Sequence, residues 1–273
     1  MTTPTAARTS AIAAEFVETG RCATLPVIDA HAHYGPFQGI YFPKPETEGM
    51  LDIMNRAGVQ TSICSAHSAL RDPREGNPLV VEAARRHPGR FLAYLAVNPN
   101  YPDELEEAVA ALSERDPAVV GIKLHPSWHR YPLSGPAHAP AFAFADTHSL
   151  PVLSHTWGNT PTCGPEEVRR VAERYPNAPL LMGHSCFGQF DEAMALARDF
   201  PNVYLELTAA YRVSGLIERM VGTVGAEKVL FGSDLPWFDQ LYGIGCVVFS
   251  HITDDDRRLI LRDNAVRLFG LAN

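Results

Sequence analysis

Short apolar runs recur along the chain at regular intervals, and most end in a polar or ionisable side chain. Eight of them read as strands, at 25–31, 61–66, 91–97, 119–125, 151–155, 180–184, 203–207 and 229–234. Stretches with helical spacing lie between them, at 46–57, 78–87, 102–115, 140–148, 165–175, 189–200 and 213–221. Several open on a proline near the first helical position, where its missing N–H costs nothing. Strand, helix, strand at this spacing demands parallel strands joined by crossover helices. Eight such units without a break in composition predict an α/β fold, a closed (β/α)8 TIM barrel occupying 1–273 as one domain. Residues 1–24 precede the repeat as an amino-terminal extension, with a helix expected over 10–19. At the other end Thr253 or Asp254 would cap a helix running through 257–268 to Gly270, with acids at its positive end. A doubly wound open sheet is the alternative, but it would not bring the ends of strands one, five, six and eight to one point.

In such a barrel, catalytic groups lie at the carboxyl ends of the strands. His31 and His33 end the first strand, share one face, and lie about 7 Å apart along it. Two imidazoles so placed can close on one cation. His155 and His184 end the fifth and sixth strands, and Asp234 ends the eighth. These are ligand types suited to zinc or a similar divalent ion. Any one alone would be a hydrogen-bonded structural residue; together at one end of a barrel they point to a metal site.

Composition narrows the picture further. The net charge is −8 and no Lys/Arg run supplies a phosphate-binding stripe, so no nucleic-acid partner is expected. No apolar run reaches the length of a membrane span, and the amino terminus lacks the pattern of a signal peptide. Five scattered cysteines give no disulfide framework, so a reducing cytoplasm is the expected location.

Five landmarks in order carry a resemblance: VIDAHAH at 27–33, GIKLHP at 121–126, Gly183–His184, LFGSDLP at 230–236 and RDNAVRLFG at 262–270. Over nearly its whole length the chain resembles the amidohydrolase superfamily, in particular the branch that includes aminocarboxymuconate-semialdehyde decarboxylase. The resemblance implies one divalent metal held by His31, His33, His155 and Asp234, zinc first, with manganese, iron or cobalt as alternatives. It implies His184 as an acid/base or oxyanion-side histidine, or as a ligand of a second metal. Three neutral imidazoles and one carboxylate would leave the ion positively charged with an open position, where zinc-bound water ionises near neutral pH. Asp234 can then take and pass a proton while His184 orients the water or polarises a carbonyl. The family often forms dimers, and the loops at 34–46 and 126–139 are candidates for lids or interface.

Lys123 admits two readings. Val119, Gly121, Lys123 and His125 share one face of strand four, whereas Val120, Ile122 and Leu124 make an apolar face suited to the helices. In some two-metal members of the superfamily a lysine on this strand carries CO2 and bridges the ions. A buried lysine otherwise needs a carboxylate, and by the same alternation Asp29 and Glu206 also face inward. The paired lysine and a single metal are the favoured reading, with carboxylated Lys123 and two metals the lesser one. His125, also inward, is a candidate for supporting or substrate contacts.

Large side chains follow the strand ends. Trp128, Trp157 and Trp237 do so, with Tyr34, Phe37 and His67, and can wall a pocket for a cyclic small molecule. Arg130 and Arg212 could clamp a substrate carboxylate. The favoured function is a metal-dependent hydrolase acting on an ester, lactone or amide carbonyl. The runner-up is a metal-dependent decarboxylase of an unsaturated or aromatic acid, and the third is a barrel that binds metal or ligand without turnover. An arginine directed at a carboxylate beside the metal would favour decarboxylation; a neutral aromatic pocket would favour hydrolysis.

Overall fold

The computed structural model describes residues 10–271. Eight parallel strands follow one another around a barrel in sequence order: β1 (Val27–Tyr34), β2 (Val59–Ala66), β3 (Phe91–Ala96), β4 (Val119–Leu124), β5 (Val152–Trp157), β6 (Leu180–Phe187), β7 (Val203–Glu206) and β8 (Val229–Leu230). The long helices outside them are α1 (Ala11–Thr19), α2 (Thr47–Ala57), α4 (Pro73–Arg86), α5 (Pro102–Ser113), α7 (Ala139–His148), α8 (Pro165–Arg174), α9 (Phe190–Asp199), α10 (Leu216–Val224) and α11 (Gln240–Val248). Single turns, α3 (His67–Arg71) and α6 (Pro126–His129), cap the ends of β2 and β4. The carboxyl-terminal segment is helical as α12 (Asp254–Arg258), a π-turn over Leu259–Asp263, and α13 (Asn264–Phe269). Of the expected amino-terminal extension, residues 1–9 lie outside the described residues, and α1 fills the expected helix.

β8 is much shorter than the run 229–234 suggests. Phe231 N–H donates to Ile260 O of the π-turn at 3.0 Å, so the strand's backbone is drawn toward the carboxyl-terminal helix. The barrel is closed beyond it by discrete bonds: Ala30 N–H to Phe231 O at 3.0 Å, Asp234 N–H to His31 O at 2.7 Å, and His33 N–H to Leu235 O at 2.7 Å. These bonds tie the metal-motif strand directly to the segment carrying Asp234. Gly232 is needed there, because a Cβ would collide with the Glu206 carboxylate and with His31. Helix α11 was not legible in sequence, since Gly243 and Gly245 disfavour a helix. Gly243 lets the helix approach the barrel, where a Cβ would press on Phe231 and Tyr211 at 3.0 and 3.2 Å.

The apolar residues divide into two clusters. The larger lies between sheet and helices, and includes Val27, Ala32, Met50, Met54, Ile122 and Leu124. The smaller fills the barrel, with Ile28, Ala30, Ile63, Tyr94, Leu153, Leu181 and Leu230 closed below by Ala265 and Phe269. Tyr94 O–H donates across it to Ala30 O at 2.8 Å. Simple alternation breaks on two strands. A register shift in β1 between Asp29 and Ala32 leaves Ile28, Ala30, His31 and His33 facing in and turns Asp29 outward. On β4, Val120 packs with the inner cluster and Val119 with the outer, although Ile122 and Leu124 face the helices as expected.

Candidate metal centre

At the carboxyl ends of β1 and β8 the ligand atoms of His31, His33 and Asp234 lie within 4.8 Å of one another, all three residues buried. His31 Nε2 is 3.4 Å and His33 Nε2 3.2 Å from Asp234 Oδ1. The far sides of both rings are fixed. His31 Nδ1–H donates to Glu206 Oε2 at 2.8 Å, which leaves the Nε2 lone pair for a cation. His33 Nδ1 meets Ser65 Oγ at 3.2 Å, so its Nε2 is likewise the atom turned to Asp234. Two imidazoles aimed by partners, with a carboxylate between them, fit a divalent ion.

Supporting groups hold this arrangement. Glu206, at the end of β7, also accepts from His184 N at 3.1 Å and Thr208 N at 2.7 Å. Burial pushes its carboxyl up to about 7, against the hydrogen bonds from Thr208 and His184 that favour the anion. Asp29 accepts from Ser233 N at 2.9 Å, Ser233 Oγ at 2.5 Å and Gln240 Nε2 at 2.7 Å. It thereby clamps β1 to the residue before Asp234, and burial raises its carboxyl to about 6. Burial also acts to raise the Asp234 carboxyl, but His31, His184 and Lys123 outweigh it and hold it below the ordinary range.

The chain reaches His184 through an unusual backbone. His184, Ser185 and Cys186 all have positive φ, at 67°, 48° and 49°, and so does Asp234 at 64°. Left-handed conformations cost about 1–2 kcal/mol for each non-glycine residue. Here Glu206, Thr156 and the Glu206 carbonyl hold the His184 N–H, Cys186 N–H and Ser185 O–H in place. Strain of this kind gathers at functional sites. His184 Nδ1 is buried and has no hydrogen-bond partner. Burial, then the neighbouring His155, depress the basicity of this ring well below that of a free imidazole.

The expected fourth ligand, His155, is not in the three-residue group. Its ring stacks face to face on His125 at 4.1 Å and meets His184 edge-on at 4.7 Å. Lys123 also departs from expectation, for no carboxylate forms an ion pair with it among the described residues. Asp29 is turned away by the register shift and Glu206 is committed to His31. Lys123 Nζ instead donates to His31 Nε2 at 2.7 Å. Burial lowers its ammonium to about 8 although Asp234 and Glu206 oppose this. The lone pair that Lys123 occupies is the one a cation would use, so ammonium and cation are alternatives at His31.

A cavity of about 300 Å³ opens beside this cluster. Lys123, His125, His155, His184 and Asp234 face it, with Trp128, Trp157, Trp237 and Arg212 among its walls. Arg212 lies over Phe187 at 5.1 Å and Phe238 at 6.0 Å. Phe37 and Phe238 complete the aromatic wall; Phe238 directly follows Trp237, and that adjacency was its only signal. Two expected contacts are not there. Tyr34 follows His33 on the opposite face of β1, and its hydroxyl bonds Thr47 Oγ1 at 2.6 Å away from the cavity. Arg130 ends α6 in a left-handed conformation (φ 52°), is exposed, and does not line the cavity.

A family model described as amidohydrolase matches residues 28–271. No curated protein sequence matches the chain. Among solved structures, 2,6-dihydroxybenzoate decarboxylase complexed with 2,6-dihydroxybenzoate is similar with TM-score 0.74 and 16% identity, covering 90% of this chain and 100% of that one. The 5-carboxyvanillate decarboxylase of Sphingomonas paucimobilis gives 0.73 and 13%, covering 91% and 100%. Dihydroxybenzoic acid decarboxylase from Polaromonas sp., with bound manganese and the inhibitor 2-nitroresorcinol, gives 0.69 and 15%, covering 90% and 97%. At these identities the likeness is one of fold.

Proposed function

This chain belongs to the amidohydrolase family, and from that premise we propose that it is a metal-dependent decarboxylase of an aromatic or unsaturated carboxylic acid. The observation that carries the reading is Arg212, a cationic side chain lining the same cavity as Asp234 and His184. A cavity with aromatic walls alone would suit a neutral ester or lactone, the first expectation from sequence. An arginine on its wall suits an acid. The structural neighbours point the same way, since those named above are decarboxylases of aromatic acids.

His31, His33 and Asp234 would hold the ion, with His184 and His155 beside it. When bound, the cation supplies a Lewis acid that offsets negative charge on the substrate's oxygens. Both zinc and manganese suit two imidazoles and a carboxylate, and manganese is the ion named with a structural neighbour. The chain's own side chains do the rest. Arg212 pairs with a carboxylate, and Trp128, Trp157 and Trp237 enclose the ring and exclude water. As the bond to the departing CO2 breaks, its electron pair stays on carbon and a proton must reach that carbon. Among the titratable groups facing the cavity, which also include Lys123, His125 and His155, we assign its delivery to His184 or Asp234.

The test is to supply manganese-loaded protein with a panel of hydroxybenzoates and carboxyvanillates, alongside aryl esters and lactones. Release of CO2 with formation of the phenol, lost in Arg212→Met, is the expected result. Turnover of esters or lactones with no acid decarboxylated would overturn the reading.

A further inference from the structure

His67, the first residue of α3, lines the cavity beside the metal cluster and has the look of a spare ligand or proton carrier. Its partners assign it otherwise. Nδ1 lies 2.7 Å from Gly35 O, which can only accept, so Nδ1 carries the proton. Nε2 lies 2.9 Å from Trp237 Nε1, whose N–H can only donate, so Nε2 is bare and occupied. Neither nitrogen is free to bind a cation or pass a proton. Protonating the ring would require breaking the bond from Trp237. The faces are occupied too: His33 stacks on one at 4.6 Å with planes 6° apart, and Phe42 is stacked at 5.7 Å and 9°. The residue is 4% exposed.

We propose that His67 is a positioning residue: a neutral imidazole locked with its proton on Nδ1, which sets the ring plane of His33 and fastens Trp237 over the cavity. It joins three loops, those after β1, β2 and β8, at one point. The stack is what acts on His33, and the hydrogen bond is what acts on Trp237, so the two effects separate by substitution. His67→Phe keeps a planar ring against His33 and removes both hydrogen bonds. His67→Ala removes the stack as well. The metal half of the inference rests on the reading of His33 as a ligand, whereas the tautomer and the tie to Trp237 do not.

Nitrogen-15 spectra of the imidazoles and the exchange rate of the Trp237 indole proton read the locked tautomer directly. Competition of a chelator for manganese reads the effect on His33. The expected results are an Nδ1–H imidazole that disappears in His67→Phe, and an indole proton that exchanges slowly in the wild type and fast in that variant. Manganese affinity is expected within about twofold of wild type in His67→Phe and lower by about tenfold or more in His67→Ala. An Nε2–H tautomer at His67, or unchanged indole exchange in His67→Phe, overturns the inference. So does manganese affinity that is unmoved in His67→Ala. A wild-type chain that binds no manganese removes the metal reading, and the tautomer and indole signals then decide the inference alone.

Discussion

Two regions of this molecule bury charge, and they do so in opposite ways. Arg257, fully buried between α11 and the carboxyl-terminal helix, donates to the carbonyls of Val248, Ser250 and Ile252 at 2.9, 2.7 and 2.7 Å and to Asp254 at 3.0 Å. Its partners are mostly fixed backbone, and four of its five N–H donors are taken by them and by Asp254. At the other end of the barrel, His31, His33, Lys123, Asp234 and Glu206 are satisfied largely by one another, and His184 Nδ1 by nothing. Buried charge met by backbone holds a fold together. Buried charge met by other titratable groups, with lone pairs turned to a cavity, is set up for chemistry at a cost in stability.

The largest effect should come from Asp234→Asn, which keeps the shape and removes the charge. Decarboxylase turnover is expected to fall by at least about 10³-fold, while Tm falls only slightly, through loss of the attraction that holds this carboxyl below its ordinary range. A collapse of Tm instead would put this carboxylate in the same class as Arg257. The converse substitution is Arg257→Met, which leaves the Val248 and Ile252 carbonyls without donors and Ser250 O with the Ile252 N–H alone. It should destabilise the fold by about 3–5 kcal/mol, lowering Tm by roughly 10 °C, with manganese stoichiometry of the folded protein unchanged. Calorimetry and metal titration on the same sample separate the two outcomes.

Glu206→Gln probes the boundary between the regions, since this carboxylate touches His31 but not the cavity. A glutamine can still accept the Nδ1 proton but carries no charge, so chelator competition should show manganese affinity lowered about 10–100-fold with the fold retained. Unchanged affinity would reduce Glu206 to a support of the backbone at His184. The smallest effect is at His138, buried outside both regions, with Nδ1–H donating to Leu133 O and Nε2 unpartnered. Burial drops its basicity to about 4. Between that value and the ordinary 6.5 the unfolded chain binds the extra proton, so stability falls as pH falls through this window. His138→Phe should remove about one proton from the acid dependence of unfolding measured by denaturant titration. An unaltered slope would mean the ring is charged in the fold.

The same contrast explains how much could be read beforehand. The eight strand runs, the crossover helices and the residues at the strand ends were visible because periodicity and order along the chain carry them. His31, His33 and Asp234 converge for that reason. What alternation could not reveal were its own interruptions: the shift in β1 that turns Asp29 from Lys123 to Ser233 and Gln240, and the left-handed run that presents His184. Lys123 was expected to face a carboxylate and faces an imidazole, because Glu206 was already taken by His31. Tyr34 was misplaced for a simpler reason, as it is one residue past an inward histidine. Arg130 and Arg212 were indistinguishable in sequence and both are exposed; only the path of the loops after β4 and β7 puts Arg212, and not Arg130, on the cavity wall.

The most direct test of the account is the metal content of protein purified without chelator or nickel affinity, measured by elemental analysis against accurate protein concentration. About one equivalent of divalent metal, lost in Asp234→Asn, is the predicted result. No metal, even after incubation with manganese or zinc, would contradict it, and the converging histidines would then be a buried polar cluster of the fold and nothing more.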